Sequence, residues 1–384
     1  MRILFVCSTE FQILNALNIK MHLLPQDKAD IVLQRSGFQA LANRLKKIGM
    51  FENICVAKDW VVDVHEYIRI VRAGGHTKTS FLQAIGNTFF VLYRDLMGKL
   101  RGPEYRLGKL LHDYEKIRGV HYDKVLMQSG NAIVSNFYES LHGVAKMAIL
   151  DEGVGSYYDN TICHGDTKAN EAYLYDPEVV VYDKDGIDFV KIPRLSSAGE
   201  EFLSIANRIF DFDPQHQVIK GKKVFFDIGG ELMPSYMQNA KGLKRMILAN
   251  SIKKHMEDHN IYMSQIAAFK KIAGTEKVFI KYHPRTPDSM LKEYDESVFQ
   301  SIEPRKIPWE LYACNNDIED CVFISIASSS VCLSPLTIGD GNKCVLIRKC
   351  LDMKISPQME KLLDNLHQKY SNCFFLPDSL DSLL

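Results

Sequence analysis

The sequence predicts an α/β protein made of two Rossmann-like, doubly wound domains that face a central cleft. Three observations carry this. The chain has 384 residues, more than one small core needs and enough for two domains of ordinary size. Apolar, β-prone runs alternate with helical periods along most of its length, the pattern of a parallel sheet with crossover helices. That alternation lapses near residue 215 and then restarts, so the expected domains are 1–215 and 216–384.

Composition narrows the class. Hydrophobic content of 46% and charged content of 24% are those of a soluble globular protein. Lys+Arg and Asp+Glu both number 47, so no global field draws the chain onto nucleic acid. The 9 cysteines form no CxxC pair. Cys7, Cys321, Cys332 and Cys344 sit in apolar runs, so a reducing compartment without a disulfide framework is expected. No run of about eighteen apolar residues occurs, and the opening MRILFVC soon turns polar. Neither a spanning helix nor a signal peptide is expected. The expected location is the cytoplasm, free or held peripherally at the cytoplasmic face of a membrane.

In chain order, residues 2–7 read as a buried strand because they are almost continuously apolar. Ser8, Thr9 and Glu10 can cap a helix starting near Phe11. A strand at 30–34, a helix at 37–48 and a strand at 53–56 continue the alternation. The first turn lacks G-x-G-x-x-G, so a nicotinamide or flavin site is not supported. Residues 61–119 read as mostly helical. Residues 93–120 mix Leu and Tyr with Arg94, Lys99, Arg101, Arg106, Lys109, Lys116 and Arg118. That composition suits either a solvated face or a surface meeting anionic lipid or an anionic acceptor.

The parallel pattern returns with a strand at 123–128, a helix at 131–141 and a strand at 145–150. The last strand runs straight into Asp151-Glu152-Gly153-Val154-Gly155. Two carboxylates at a strand's carboxyl end, followed by glycines that permit close backbone approach, suggest a ligand-facing loop. Adjacent side chains in an extended segment point opposite ways, so one carboxylate can face the cleft while the other holds the loop. An ordinary acidic turn is the plainer alternative. Short strands at 179–182 and 189–192, a helix at 198–210 and a linker at 212–216 follow. Asp211-Phe212-Asp213 has Asp-x-Asp spacing but falls in that linker, so no metal site is expected.

The second half offers a strand at 222–226 with a loop at 227–231, helices at 240–256 and 263–272, and a strand at 278–282. This last strand stops at His283-Pro284-Arg285, because proline lacks an amide hydrogen and biases His283 out of the helical region. An imidazole there can donate a proton, and a guanidinium beside it can hold an anion. A strand at 321–326 leads into Ser328-Ser329-Ser330. Hydroxyls and free amides at the start of a helix suit a phosphate. A strand at 343–348 and an amphipathic helix at 357–370 complete the chain. The His and the serines are expected on neighbouring strands of one domain, opposite Asp151 and Glu152 of the other. A base facing an acid and a phosphate site suits displacement of a nucleotide from a sugar.

The ordered set Asp151-Glu152-Gly153, then Lys281-Tyr282-His283-Pro284-Arg285, then Ser328-Ser329-Ser330 resembles bacterial sialyltransferases of the GT-B type. It is most similar to glycosyltransferase family 52, the lipooligosaccharide and capsule sialyltransferases, in ILDEGVGSY and K-x-HPR. The resemblance implies a GT-B-like fold and inverting, metal-independent transfer from CMP-N-acetylneuraminic acid to a terminal sugar of a bacterial surface glycan, with no cofactor. It implies His283 as general acid and Ser328, Ser329 and Ser330 as phosphate ligands. Asp151 or Glu152 would be the base, and Gly153, Pro284 and Arg285 would contact substrate. In some members the base is instead a carboxylate shortly before the His-Pro strand, for which Asp258 is the nearest candidate. Glu310 matches a position that could hydrogen-bond the CMP ribose, or is simply a helix-start carboxylate. The implied partners are a nucleotide-sugar donor and a glycan acceptor; peripheral contact with the inner membrane and a homodimer are compatible with it. The rivals are the same fold with another activated sugar, either a CMP-ulosonic acid or a nucleoside-diphosphate sugar, and a non-catalytic glycan- or nucleotide-binding protein.

Overall fold

Residue 2 begins a strand that is solvated on neither face, and the first sheet is built outward from it. The structure, a computed structural model, describes residues 1–59, 80–128, 132–162, 168–229, 249–284, 286–351 and 353–383. The strands are β1 (Arg2–Cys7), β2 (Lys28–Leu33), β3 (Ile54–Ala57), β4 (Leu111–His112), β5 (Lys124–Met127), β6 (Lys146–Leu150), β7 (Glu171–Leu174) and β8 (Asp188–Lys191). They lie in the order β4-β3-β2-β1-β5-β6-β7-β8. Every pairing is parallel except β3–β4. Phe5 of β1 pairs with Ile31 on one side and Leu126 on the other. Strand order reverses between β1 and β5, which opens a crevice at the carboxyl edge.

The second sheet contains β10 (Lys223–Phe226), β11 (Val278–Lys281), β12 (Phe299–Ser301), β14 (Val322–Ser325), β15 (Lys343–Leu346) and β16 (Phe374–Phe375) in the order β12-β11-β10-β14-β15-β16, all parallel. A two-stranded parallel ribbon of β9 (Val218–Lys220) and β13 (Asp317–Glu319) completes the described sheets. Two doubly wound sheets with a cleft between their carboxyl edges make the GT-B-like arrangement that the sequence predicts.

Several local expectations change. Residues 179–182 are not a strand. Asp176-Pro177 opens a 3-10 turn, Pro177–Val179, in which the Asp176 side chain accepts the Glu178 N–H at 3.2 Å. The cap outweighs the β-branched run that follows it, and β7 lies just before. The helices expected at 240–256 and 263–272 are one continuous helix, Ala249–Ala273, and 240–248 lie outside the described residues. The His and Ser loops do not leave neighbouring strands: β10 lies between β11 and β14. Residues 60–79, the first part of the expected helical region, also lie outside the described residues.

Much of the basic charge of residues 93–120 is neutralised locally. Arg118 pairs with Glu104 and Glu115, Arg106 with Glu139, and Lys116 with Asp113. The helix Phe81–Arg101 instead exposes Leu82, Phe89, Leu92, Tyr93, Leu96 and Leu100. Among the described residues no helix is long and apolar enough to cross a membrane.

The two domains are held together away from the cleft. The helix Pro357–Lys369 belongs to the second half by sequence but packs on the first domain. Its Asn365 donates to the Val179 carbonyl at 3.1 Å, and its Lys369 pairs with Asp176. Just beyond it, the Tyr370 hydroxyl donates to Asp176 at 2.6 Å. Asn207 and Asn315 exchange amide hydrogen bonds across the boundary.

Candidate active site

The acidic loop is set from beneath by a buried polar network. Asp151 is fully buried. One carboxylate oxygen accepts the Gly153 N–H at 2.9 Å, and the other accepts the Tyr157 hydroxyl at 2.7 Å. Its carbonyl accepts the Asn15 amide at 2.9 Å, and the Tyr175 hydroxyl donates to Asn15 at 2.6 Å. Asn15 belongs to the helix Glu10–His22, which Thr9 and Gln12 close with a reciprocal capping box. Burial pushes the Asp151 carboxyl up to about 7, against the pull of these donors.

Glu152 points the other way and lines the cleft. Its N–H donates to the Ser156 hydroxyl at 2.9 Å. Gly155 leaves room for the carboxylate, since a Cβ there would lie 2.9 Å from Glu152 Oε1. Burial, and then the charge of Asp159, push Glu152 up to about 7. Gly153 lies against the serine loop of the second domain. Its φ of +129° suits glycine, and a Cβ would stand 3.5 Å from the side chain of Ser329.

The second domain supplies the opposite wall. His283, at the end of β11, lines the cleft with Pro284, and Arg285 lies outside the described residues. Ser328, Ser329 and Ser330 follow β14 and line it as well. They open only one helical turn, Ser329–Cys332. The helix dipole expected to help hold an anion is therefore small, and the hydroxyls and loop amides remain as donors. Glu310 is 4% exposed, and its carboxyl is raised by burial against hydrogen bonds from its own backbone and the Ser330 side chain. Its helix, Trp309–Cys314, is anchored by Trp309, whose ring meets Phe226 at 4.8 Å and Phe323 at 5.3 Å, both edge-on. Asp258 is exposed on the helix Ala249–Ala273 and does not line the cleft.

The cleft encloses about 450 Å³ and also takes in Lys281 of the K-x-HPR motif, and Glu10, Arg35, Arg305 and Lys306, to which sequence reasoning gave no site role. Lys281 was read only as part of that motif and was given no role. It ends an apolar strand, is 7% exposed, and donates to the Pro304 carbonyl at 2.9 Å. Burial lowers it to about 8. A lysine closing a buried strand was a signal available in the sequence, since buried charges need a partner or a function. Asp227, Gln265 and Thr286 behind the His loop carried no comparable signal.

The walls thus differ in sign. The first domain presents Glu152 and Glu10, with Arg35 near Glu10 at 3.6 Å. The second presents Lys281, Arg305 and Lys306 against Asp227 and Glu310, together with a histidine and three serines.

No family model and no curated protein matches the chain. Among solved structures the chain is similar to MurG of Acinetobacter baumannii at 12% identity, with a TM-score of 0.41 over 99% of this chain and 86% of that one. It is also similar to a UDP-glucosyltransferase from Polygonum tinctorium at 11% identity, with a TM-score of 0.37 over 85% of this chain and 75% of that one.

Proposed function

We propose that this chain is a glycosyltransferase that transfers sialic acid, with inversion, from CMP-N-acetylneuraminic acid to a terminal sugar of a bacterial surface glycan. The observation that carries the reaction type is the make-up of the cleft: a carboxylate raised to about 7 on one wall faces a histidine and three serines on the other, where Lys281, Arg305 and Lys306 outnumber Asp227 and Glu310. In this reading Glu152 takes the proton of the acceptor hydroxyl as that oxygen attacks the anomeric carbon. The bond to the CMP phosphate breaks, and His283 donates a proton to the departing phosphate while the serine hydroxyls hold it. Glu152 is favoured over Asp151 because Asp151 is fully buried and spends both oxygens on the loop. It is favoured over Asp258 because that residue lies away from the cleft. The ordered motifs at 151–153, 283–285 and 328–330 support the choice of donor.

The test is calorimetric titration with CMP, UDP and GDP in metal-free buffer, followed by transfer assays with CMP-N-acetylneuraminic acid. Selective CMP binding that weakens when Ser329 and Ser330 become Ala is the expected result. Preference for UDP or GDP overturns the donor, and binding of none of the three overturns the enzyme reading.

A further inference from the structure

We infer that Asp227 is a positioning residue that fixes the orientation of His283; the inference rests on the proposed transfer reaction. Asp227 directly follows β10, the strand between the one that delivers His283 and the one that delivers the serines, and it reaches the edge of the cleft. It is 4% exposed. One carboxylate oxygen accepts the Gln265 amide at 2.8 Å. The other accepts the Thr286 hydroxyl at 2.7 Å and faces the His283 N–H at 3.4 Å. The Asp227 N–H itself donates to the Lys281 carbonyl at 3.1 Å. One carboxylate therefore holds both ends of the segment His283–Thr286, whose own ends are closed by the Thr286 N–H donating to the His283 carbonyl at 3.0 Å.

The clamp is itself braced. Gln265 accepts the Ile228 N–H at 3.2 Å and donates to the Tyr294 hydroxyl at 3.0 Å. Gly229 then passes over the imidazole. Its φ is +86°, and a Cβ would stand 3.0 Å from His283 Cγ and Nδ1. The ring is confined between a loop that only glycine can form at this distance and a backbone tied to a buried carboxylate. A backbone anchor so close to a proton donor serves alignment, because a misplacement of about 1 Å can cost about 100-fold in rate. Burying a carboxylate to hold a loop is expensive unless the donors are all present, and here each oxygen has at least one.

The experiment compares wild type, Asp227→Asn, Thr286→Val, His283→Ala and the double variant Asp227→Asn/His283→Ala in transfer from CMP-N-acetylneuraminic acid. The expected result for Asp227→Asn is a fall in kcat of about 10- to 100-fold with KM for the donor and Kd for CMP little changed. Thr286→Val should move kcat the same way by less, and the double variant should be no slower than His283→Ala alone, since the clamp acts only through the ring. If Asp227→Asn does not fold, Thr286→Val decides, and a wild-type kcat there overturns the inference. Unchanged kcat in Asp227→Asn, loss of CMP binding in step with kcat, or full additivity in the double variant each overturn it too. A wild type that transfers nothing overturns the proposed function and this inference with it.

Discussion

The two walls of the cleft reach the same place by opposite constructions. The acidic loop of the first wall is one continuous segment: Asp151, Glu152, Gly153 and Gly155 stand together, a buried network beneath them sets the geometry, and only Glu10 and Arg35 join from elsewhere. The cationic wall is assembled from separated pieces. His283 follows β11, the serines follow β14, and Arg305, Lys306 and Glu310 come from the stretch after β12. Local chemistry governs the first wall and sheet topology governs the second. Single changes on the cationic wall should therefore remove single functions, whereas changes beneath the acidic wall should move several at once.

The largest expected effect is at His283. His283→Ala should lower turnover by roughly two to four orders of magnitude, the usual range for a lost general acid, while CMP still binds through the serines. Steady-state kinetics paired with calorimetry separates the two. Near-wild-type turnover would remove the acid role and leave the contrast between the walls without its chemical meaning.

The same contrast explains how much was legible beforehand. Asp151-Glu152-Gly153 could be read because its parts are adjacent and strand alternation assigns them opposite directions. The placement follows that alternation: Glu152 lines the cleft and Asp151 is interior. The two doubly wound domains were legible because buried parallel strands are almost continuously apolar. What could not be read was the order of strands in the second sheet. β11 is the next strand after β10 and pairs with it, but β14, which comes later in the chain, lies against the other side of β10, so β10, with Asp227 just beyond it, separates the His loop from the serines. Arg305 and Lys306 also reach the cleft through topology rather than motif. Short strands such as β12 and β16, three and two residues long, are too brief for a period to show.

A pH profile tests both walls together. Glu152, raised to about 7, must be ionised to act as base, so kcat/KM should rise as pH climbs through about 7. Glu152→Gln should abolish that limb along with most of the rate. Lys281, lowered to about 8, loses its charge above that pH. Donor binding should weaken on the alkaline side as one cation leaves the phosphate wall. Lys281→Arg, which stays charged, should remove the alkaline weakening of donor binding if it folds. An acid limb unchanged in Glu152→Gln would assign the base elsewhere.

The smallest effect lies beneath the acidic wall, and it concerns stability rather than rate. Tyr157 is fully buried, donates to Asp151 at 2.7 Å and accepts the Tyr175 N–H at 3.2 Å. Tyr157→Phe keeps the ring and removes both bonds, which should cost about 1–3 kcal/mol. The cost should depend on pH. In the folded chain Asp151 is already raised to about 7, so its contribution to stability is fully present at low pH and declines as pH rises through about 7. The Tyr157 hydroxyl opposes that decline by stabilising the ionised form. Without it, the folded-state value moves higher, and the penalty is larger at pH 8 than at pH 5. Denaturant midpoints for both proteins at the two pH values measure this. Equal penalties would mean that Tyr157 supports the loop by packing alone, with no electrostatic hold on Asp151.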